Sequence, residues 1–482
     1  MNNRAGSPSP CGLGSRRRGR RQWGFRLAAV VLAVLPLAIL ELVLRVAGSP
    51  PPDESAWVEL HQLKPLFELD ESEHRWRIPP SRSNFFQPAS FNADKPIDTR
   101  RVFVLGGSTV QGRPWATETA FSTWLRLRLQ AADSDHVYEV VNCGGVSYAS
   151  YRVDKILDEV LTHKPDAIVL YTGHNEFLED RTYADARAMT PIERAATNIT
   201  RHVRIASLVS RMIHGVPKTS KTEMKSEVDA ALDHTASLDE YERDPAWRQA
   251  VERHFHKTLE GMIAKCKQAD VLTIVCEPAC DLVNTPPFKS LPPMRLELGG
   301  ISDVAAANQL RRWIRRNDHS ADAHYRLGRI LYANKKTDEA VKHLTLARDE
   351  DVCPLRATTP IVASVKSICA DNKITLVPTI QTLDDRNADG LRQPDGIADP
   401  QWFVDHVHPT IAGHQRIAEA IAAEFQIAGW GNQDDVAAER YRESVTRQMS
   451  MLGEEYFARG KQRLEGLRRW ASGRAAAIGV HP

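Results

Sequence analysis

The sequence predicts an α/β protein built on a doubly wound parallel sheet. Three observations predict it. Short apolar runs recur at Val102–Leu105, Tyr138–Val141, Ala167–Tyr171, Val271–Cys276 and Ile374–Ile380, as strands buried on both faces require. Stretches with apolar residues at helical spacing lie between them, so strand and helix alternate along the chain. The loops that follow the runs are rich in glycine and polar residues, and in such sheets ligands bind beyond the carboxyl ends of the strands.

Taken in order, the first 26 residues hold seven arginines and no acid, and the apolar run Leu27–Leu40 follows. The span 26–47 is long enough to cross a bilayer, with Arg45 snorkelling to the far surface and Glu41 near that interface. We read it as an uncleaved anchor with residues 1–25 in the cytoplasm. A small-residue site at Val46-Ala47-Gly48 leaves a cleaved secretory signal as the alternative. Both readings place everything after Gly48 outside the cytoplasm, in a periplasm or at a cell surface. The rest of the chain carries 56 basic against 61 acidic residues, which gives no electrostatic reason to expect nucleic acid as a partner.

A stiff linker, "GSPPPDESAW", leads into a main domain over residues 55–430. Its first strand, Val102–Leu105, ends at Gly106-Gly107, where the backbone is free to turn before Ser108. Helices are expected over Ala120–Ala131 and Tyr151–Thr162, the second with Val153, Ile156, Leu157, Val160 and Leu161 on one face. A polar segment at 184–257 reads as a helical insertion and 303–352 as a second one. Within the latter, Leu327 and Gly328, a turn at Asn334–Thr337, then Ala340, Leu344 and Ala347 resemble one tetratricopeptide (TPR) repeat. Residues 304–317 supply half a repeat before it. One and a half units fall short of the roughly three that a free solenoid needs, so the hairpin should pack on the main domain. It is either a contact for a protein partner or a plain hairpin filling space. Residues 431–482 form a charged helical extension that packs on the body or on another subunit.

Seven cysteines without a CxxC pair suggest neither a zinc ribbon nor a redox site. Cys276 and Cys280 are close enough in sequence to bridge outside the cytoplasm, but we read them as buried apolar residues. No HExxH, P-loop or dinucleotide fingerprint is present, so no metal or cofactor is implied.

Four motifs follow the strands in order: "GGST" at 106–109, "NCGGVSYASYR" at 142–152, "TGHNEF" at 172–177, and "DHVHP" at 405–409. Together they resemble the SGNH hydrolases, or GDSL superfamily, over roughly residues 98–183 and 268–425. The resemblance implies a flavodoxin-like three-layer α/β/α fold and attack on an ester carbonyl by Ser108, with His408 as the base and Asp405 orienting it. It also implies an oxyanion hole made of the Ser108 N–H, an N–H from Gly144 or Gly145, and the Asn175 amide.

Each residue type suits its task. A serine hydroxyl is a poor nucleophile until an imidazole takes its proton, and the imidazole needs a carboxylate to fix its tautomer. Other readings stand beside these. Asn175 suits a turn after Gly173, and Asp405 suits the cap of a helix starting near Thr410. His406, His174 and His414 rival His408. Glu176 stands where many relatives have aspartate, and Ser147 or Tyr148 occupies the more distant place where the oxyanion glycine often lies. "GRPW" at 112–115 and "PPFKS" at 286–290 are either rim elements or structural turns, and Arg181 and Tyr183 are given no chemistry.

The expected activity is that of a membrane-anchored esterase or O-deacetylase acting on an acylated small molecule or saccharide. A glycan O-acetyltransferase using the same residues, and a TPR-bearing scaffold with a vestigial site, are the alternatives.

Overall fold

The computed structural model describes residues 65–179, 241–385, 396–432 and 434–475, with isolated positions 35, 36, 40, 41, 43, 228 and 238. The chain divides into two units, 1–59 with 184–222, and 60–183 with 223–482. The basic tail, nearly all of the expected anchor at 26–47, most of the insertion at 184–257, and Arg181 and Tyr183 lie outside the described residues. Among the described residues no helix is long and apolar enough to cross a membrane.

The second unit is built on five parallel strands. In chain order they are preceded by three short ones, β1 (Glu68–Asp70), β2 (Arg75–Arg77) and β3 (Ser90–Asn92), which form a separate antiparallel sheet. The main sheet comprises β4 (Thr99–Gly106), β5 (Val137–Gly144), β6 (Ala167–Tyr171), β7 (Leu272–Cys276) and β8 (Thr375–Val377), in the spatial order β5-β4-β6-β7-β8 with every pair parallel. Strand order therefore reverses between β4 and β6. A cleft opens there beyond the strand ends, because connections leave the two strands on opposite sides of the sheet.

Alternation along β4 separates the two faces. Val102 and Val104 face one core with Phe121, Trp124, Leu125 and Leu129 of the helix Phe121–Ala132, and with Ile417, Ile421 and Phe425 of the helix Ile411–Ile427. Phe103 and Leu105 face the other core, with Val153, Ile156, Leu157 and Val160. This is the three-layer arrangement.

The helices, in order, are α1 (Ser108–Gln111), α2 (Phe121–Ala132), α3 (Ser150–Val160), α4 (Pro245–Gln268), α5 (Asp303–Ile314), α6 (Ala321–Ala333), α7 (Thr337–Asp349), α8 (Thr359–Asn372), α9 (Thr379–Thr382), α10 (Ile411–Ile427), α11 (Asp435–Ser450) and α12 (Glu454–Ala475).

The structure corrects the sequence in several places. The insertion expected over 184–257 ends sooner, because residues 245–257 open α4, a covering helix of the sheet. Asp244 caps it by accepting from the Ala246 and Trp247 N–H groups, and Pro245 fits its first turn. Val251, Phe255, Leu259, Met262 and Ile263 then pack into the core. The run expected at 374–380 is a strand only over Thr375–Val377. Pro378 ends it and α9 begins at once. β1 to β3, three residues each and too short to show alternation, have no counterpart in the sequence reading, and neither does α8.

Residues 303–349 do fold into helices. α6 and α7 form an antiparallel pair with close contact at Gly328, where a Cβ would lie 2.8 Å from the Leu344 side chain. The pair packs on the main body, with Tyr325, Leu344 and Ala347 against Leu282, Val283 and Val407. The six described cysteines are all free and buried. The C-terminal extension lies on the body. Tyr441 of α11 sits under Arg128 of α2, and Tyr456 of α12 bonds the 116–119 segment, 2.7 Å from Thr119 Oγ1.

Candidate active site

Ser108 is the first residue of α1, directly after β4 and at the reversal point of the sheet. Gly106 and Gly107 make this position possible, though through lack of space rather than through special backbone angles. A Cβ on Gly106 would lie 2.1 Å from the Tyr171 carbonyl oxygen at the end of β6, and one on Gly107 would lie 2.5 Å from Asn175 Nδ2. Gly107 itself is extended, with φ −89°.

α1 is braced from below. Asn142 Nδ2 donates to the Val110 carbonyl at 2.7 Å and to Ser122 Oγ at 2.8 Å, and Gln111 Nε2 donates to the Phe85 carbonyl at 2.9 Å.

His408 comes from the loop between β8 and α10. Its Nε2 accepts from Ser108 Oγ at 2.8 Å, and its Nδ1 donates to Asp405 Oδ2 at 2.7 Å. Asp405 has a second task. Its Oδ1 accepts from the Val407 and His408 N–H groups at 3.0 and 2.9 Å, which folds the loop so that the ring returns over the carboxylate. Thr109 Oγ1 donates to the Val407 carbonyl at 3.3 Å, tying this loop to α1. The helix cap is Thr410, which accepts from the Gly413 N–H. Asp405 is thus free of that role.

Ser108, His408 and Asp405 are all buried or nearly so, and burial alone would raise the Asp405 pKa. The His408 and His406 imidazoles and the hydrogen bonds from His408 outweigh it, holding the carboxyl well below the usual carboxylate range.

The rival histidines have other places. His406 packs edge-on against Phe288, ring centroids 5.3 Å apart, with its Nδ1 3.6 Å from Asp405 Oδ1. Its carbonyl accepts from the Asp281 N–H at 3.0 Å, so it anchors the loop. His174 accepts the Ala357 N–H on Nδ1, and His414 accepts the Phe121 N–H while stacking on that ring. Burial pushes His174 and His414 down to about 3, keeping both rings neutral.

The expected oxyanion donors need one correction. The Gly144 N–H donates to Asn142 Oδ1 at 2.9 Å and the Gly145 N–H to the Gly106 carbonyl at 3.0 Å. The first bond is local to β5 and the second holds its end to that of β4, and neither amide is left for a substrate. Further along the same loop Ser147 has φ 61°, a left-handed backbone, and its N–H meets no acceptor among the described residues.

Asn175 lies beside Gly107. One N–H of its amide donates to the Tyr148 carbonyl at 3.1 Å, which fixes the group and leaves its second N–H. The Ser108 N–H belongs to the first turn of α1 and has no partner within the helix.

Glu176 explains the departure at the third motif. Its two carboxylate oxygens accept from the Ser150 N–H at 2.9 Å and from Ser150 Oγ at 2.7 Å, capping α3 from a neighbouring loop. Burial pushes this carboxyl up to about 7 against the pull of those donors. Three residues on, Glu179 forms a buried two-pronged ion pair with Arg152, at 2.7 and 2.6 Å.

No family model and no curated protein matches the chain. Among solved structures it is similar to an acetylxylan esterase from Geobacillus stearothermophilus, with 14% identity covering 67% of this chain and 93% of that one at a TM-score of 0.31. It is also similar to a GDSL-like lipase from Bacteroides thetaiotaomicron (12%, covering 68% and 89%, TM-score 0.29) and to a lipase/acylhydrolase from Enterococcus faecalis (13%, covering 68% and 95%, TM-score 0.30). At this level of similarity the functional reading rests on the site.

Proposed function

We propose that the chain is an SGNH-type serine esterase that hydrolyses ester bonds of acylated saccharides or small molecules. The observation that carries the reading is the unbroken hydrogen-bond chain from Ser108 Oγ through His408 to Asp405, set beside Asn175 at the cleft of the sheet. Ser108 Oγ attacks the ester carbonyl while its proton passes to His408 Nε2, and Asp405 stabilises the imidazolium. Negative charge gathers on the carbonyl oxygen, where the Ser108 N–H, the Asn175 amide and the Ser147 N–H are the donors. Such donors are worth about 3 to 4 kcal/mol each when removed singly. His408 returns the proton to the departing alcohol, and water then releases the acid from Ser108 by the reverse sequence.

A fluorophosphonate probe tests this. It should label the native chain and not Ser108→Ala. Labelling of both, or of neither, would overturn the reading.

The finer parts of the proposal are supported by sequence. Seven arginines before an apolar run support a membrane-anchored enzyme facing away from the cytoplasm, which membrane fractionation and protease accessibility would test. The spacing of Leu327, Gly328, Ala340, Leu344 and Ala347 supports a TPR-like hairpin, with its exposed side as a contact for a protein partner. Crosslinking from that side in intact membranes would test it.

A further inference from the structure

Residues 351–358, "DVCPLRAT", join α7 to α8, and every one of them is buried although none belongs to a helix or a strand. Connecting segments ordinarily run over the surface, because buried backbone must find hydrogen-bond partners. Two of the contacts made here reach the loops that carry the active site.

The first is through Arg356, which is 2% exposed. Its Nη1 donates to the Asp281 carbonyl at 3.0 Å and to the Thr285 carbonyl at 2.9 Å, so one guanidinium nitrogen closes the loop that follows β7. Asp281 braces the same loop from inside, its Oδ1 accepting from the Val283 and Asn284 N–H groups at 2.9 Å each. The Asp281 N–H donates in turn to the His406 carbonyl at 3.0 Å. The guanidinium is therefore two hydrogen bonds away from the loop that bears His408.

The second contact is made by the next residue. The Ala357 N–H donates to His174 Nδ1 at 3.2 Å, and His174 adjoins Asn175. The segment is itself anchored, with Asp351 accepting from the Cys353 N–H at 3.0 Å and the Phe288 N–H at 2.7 Å, and Thr358 Oγ1 donating to Glu252 of α4 at 2.9 Å.

A buried cation is costly unless it is paired, and an apolar side chain of similar volume is often as stable. The carboxylate facing Arg356 is that of Asp351, 3.9 Å from Nη2 and already engaged by three backbone N–H groups. Nη2 makes no hydrogen bond among the described residues. What the guanidinium supplies is a pair of donors aimed at two main-chain carbonyls of one loop.

We propose that Arg356 is a positioning residue of the active site, fixing the Asp281 peptide against the His406 carbonyl and thereby setting where His408 stands before Ser108. The inference rests on the esterase reading and adds a residue to it. Among the described residues Arg356 makes no hydrogen bond to Ser108, Asp405 or His408, so it acts through the loop alone. A base misplaced by about 1 Å can cost on the order of a hundredfold in rate.

Two variants test this. Arg356→Met keeps the length of the side chain and removes its donors, while Arg356→Lys keeps a charged donor without the fork. Labelling to completion with a fluorophosphonate probe counts the competent sites in each preparation, and hydrolysis of a soluble aryl acetate is then expressed per labelled site. Arg356→Met should lower kcat per site by between about tenfold and a hundredfold with KM unchanged, and Arg356→Lys should lie between it and the native chain. A purely structural arginine would reduce the labelled fraction and the melting temperature while leaving kcat per site as it is. That outcome for Arg356→Met, or for Arg356→Lys should Arg356→Met fail to fold, would overturn the proposal. A native chain that takes no label would bring down the esterase reading and the role of Arg356 with it, whereas a labelled native chain with unaffected variants removes Arg356 alone.

Discussion

His408 Nε2 lies 2.8 Å from Ser108 Oγ although 300 residues of chain separate them. The two reach each other because β4 and the loop before α10 end on the same edge of one parallel sheet. Thr109 and Val407, one residue to the side of each, are hydrogen-bonded as well.

Removing any member of this chain should abolish most of the activity. Ser108→Ala is expected to lower kcat by about a millionfold and Asp405→Asn by about ten-thousandfold. Asp405→Asn should also lower the melting temperature, since Oδ1 folds the 405–408 loop. Ester hydrolysis and thermal melts on the same preparations check both.

Gly107→Ala should behave as a mild version of Asn175→Ala. The added methyl would meet Asn175 Nδ2 at 2.5 Å and push the amide away from the cleft. We expect kcat to fall about a hundredfold for Asn175→Ala and by a smaller factor for Gly107→Ala, with KM little altered. Steady-state kinetics on a soluble aryl acetate decides it. An unchanged kcat for Asn175→Ala would remove the amide from the oxyanion hole.

Glu176 gives a dependence on pH whose sign is fixed. Its folded pKa is raised from 4.5 to about 7, so between these values the folded chain holds a proton that the unfolded chain has released. Its contribution is therefore complete below about pH 4.5 and is lost as pH rises towards 7, by at most roughly 3 kcal/mol. Asp281 and Asp351, pushed up to about 6 by burial, tilt the same way. Glu176→Gln keeps an acceptor for Ser150 and should flatten the fall in melting temperature between pH 5 and 8. A slope equal to that of the native chain would rule this out.

The helical hairpin should support the site from a distance. Gly328→Leu would place carbon 2.8 Å from the Leu344 side chain and separate α6 from α7. Because Leu344 and Val407 share one apolar cluster, both the melting temperature and kcat should drop. Tyr325→Phe, which loses a 3.0 Å bond to the Val283 carbonyl, should cost about 1 kcal/mol. Melts and kinetics separate this from a hairpin that is mere decoration, for which kcat would stay constant once folding is complete.

Much of this was legible in the sequence where a local pattern carries the information. The Ala167–Tyr171 run matches β6 at both ends, since a strand buried on both faces must be apolar throughout, and the hairpin turn after Ala333 falls where Asn334 stands. Spacing of three residues between Asp405 and His408 suits a side chain that folds its own loop. The order of the motifs along the chain placed Ser108, Asn175 and His408 after different strands of one parallel sheet, which are β4, β6 and β8.

Tertiary structure decided what depends on approach between distant segments. Gly106 and Gly107 read as freedom to turn, yet they are needed because Tyr171 and Asn175 leave no room for a Cβ. Gly144 and Gly145 look open in sequence and are closed in space, where Asn142 and Gly106 take their N–H groups. Trp115 and Gly460 are 345 positions apart in the chain, and only α12 lying across the indole ring makes them neighbours. Apolar periodicity is a property of one segment and its burial, so the sequence displays it. Which donor is left free, and which charge faces another, depends on atoms from elsewhere in the chain, and that is settled only when the layers pack.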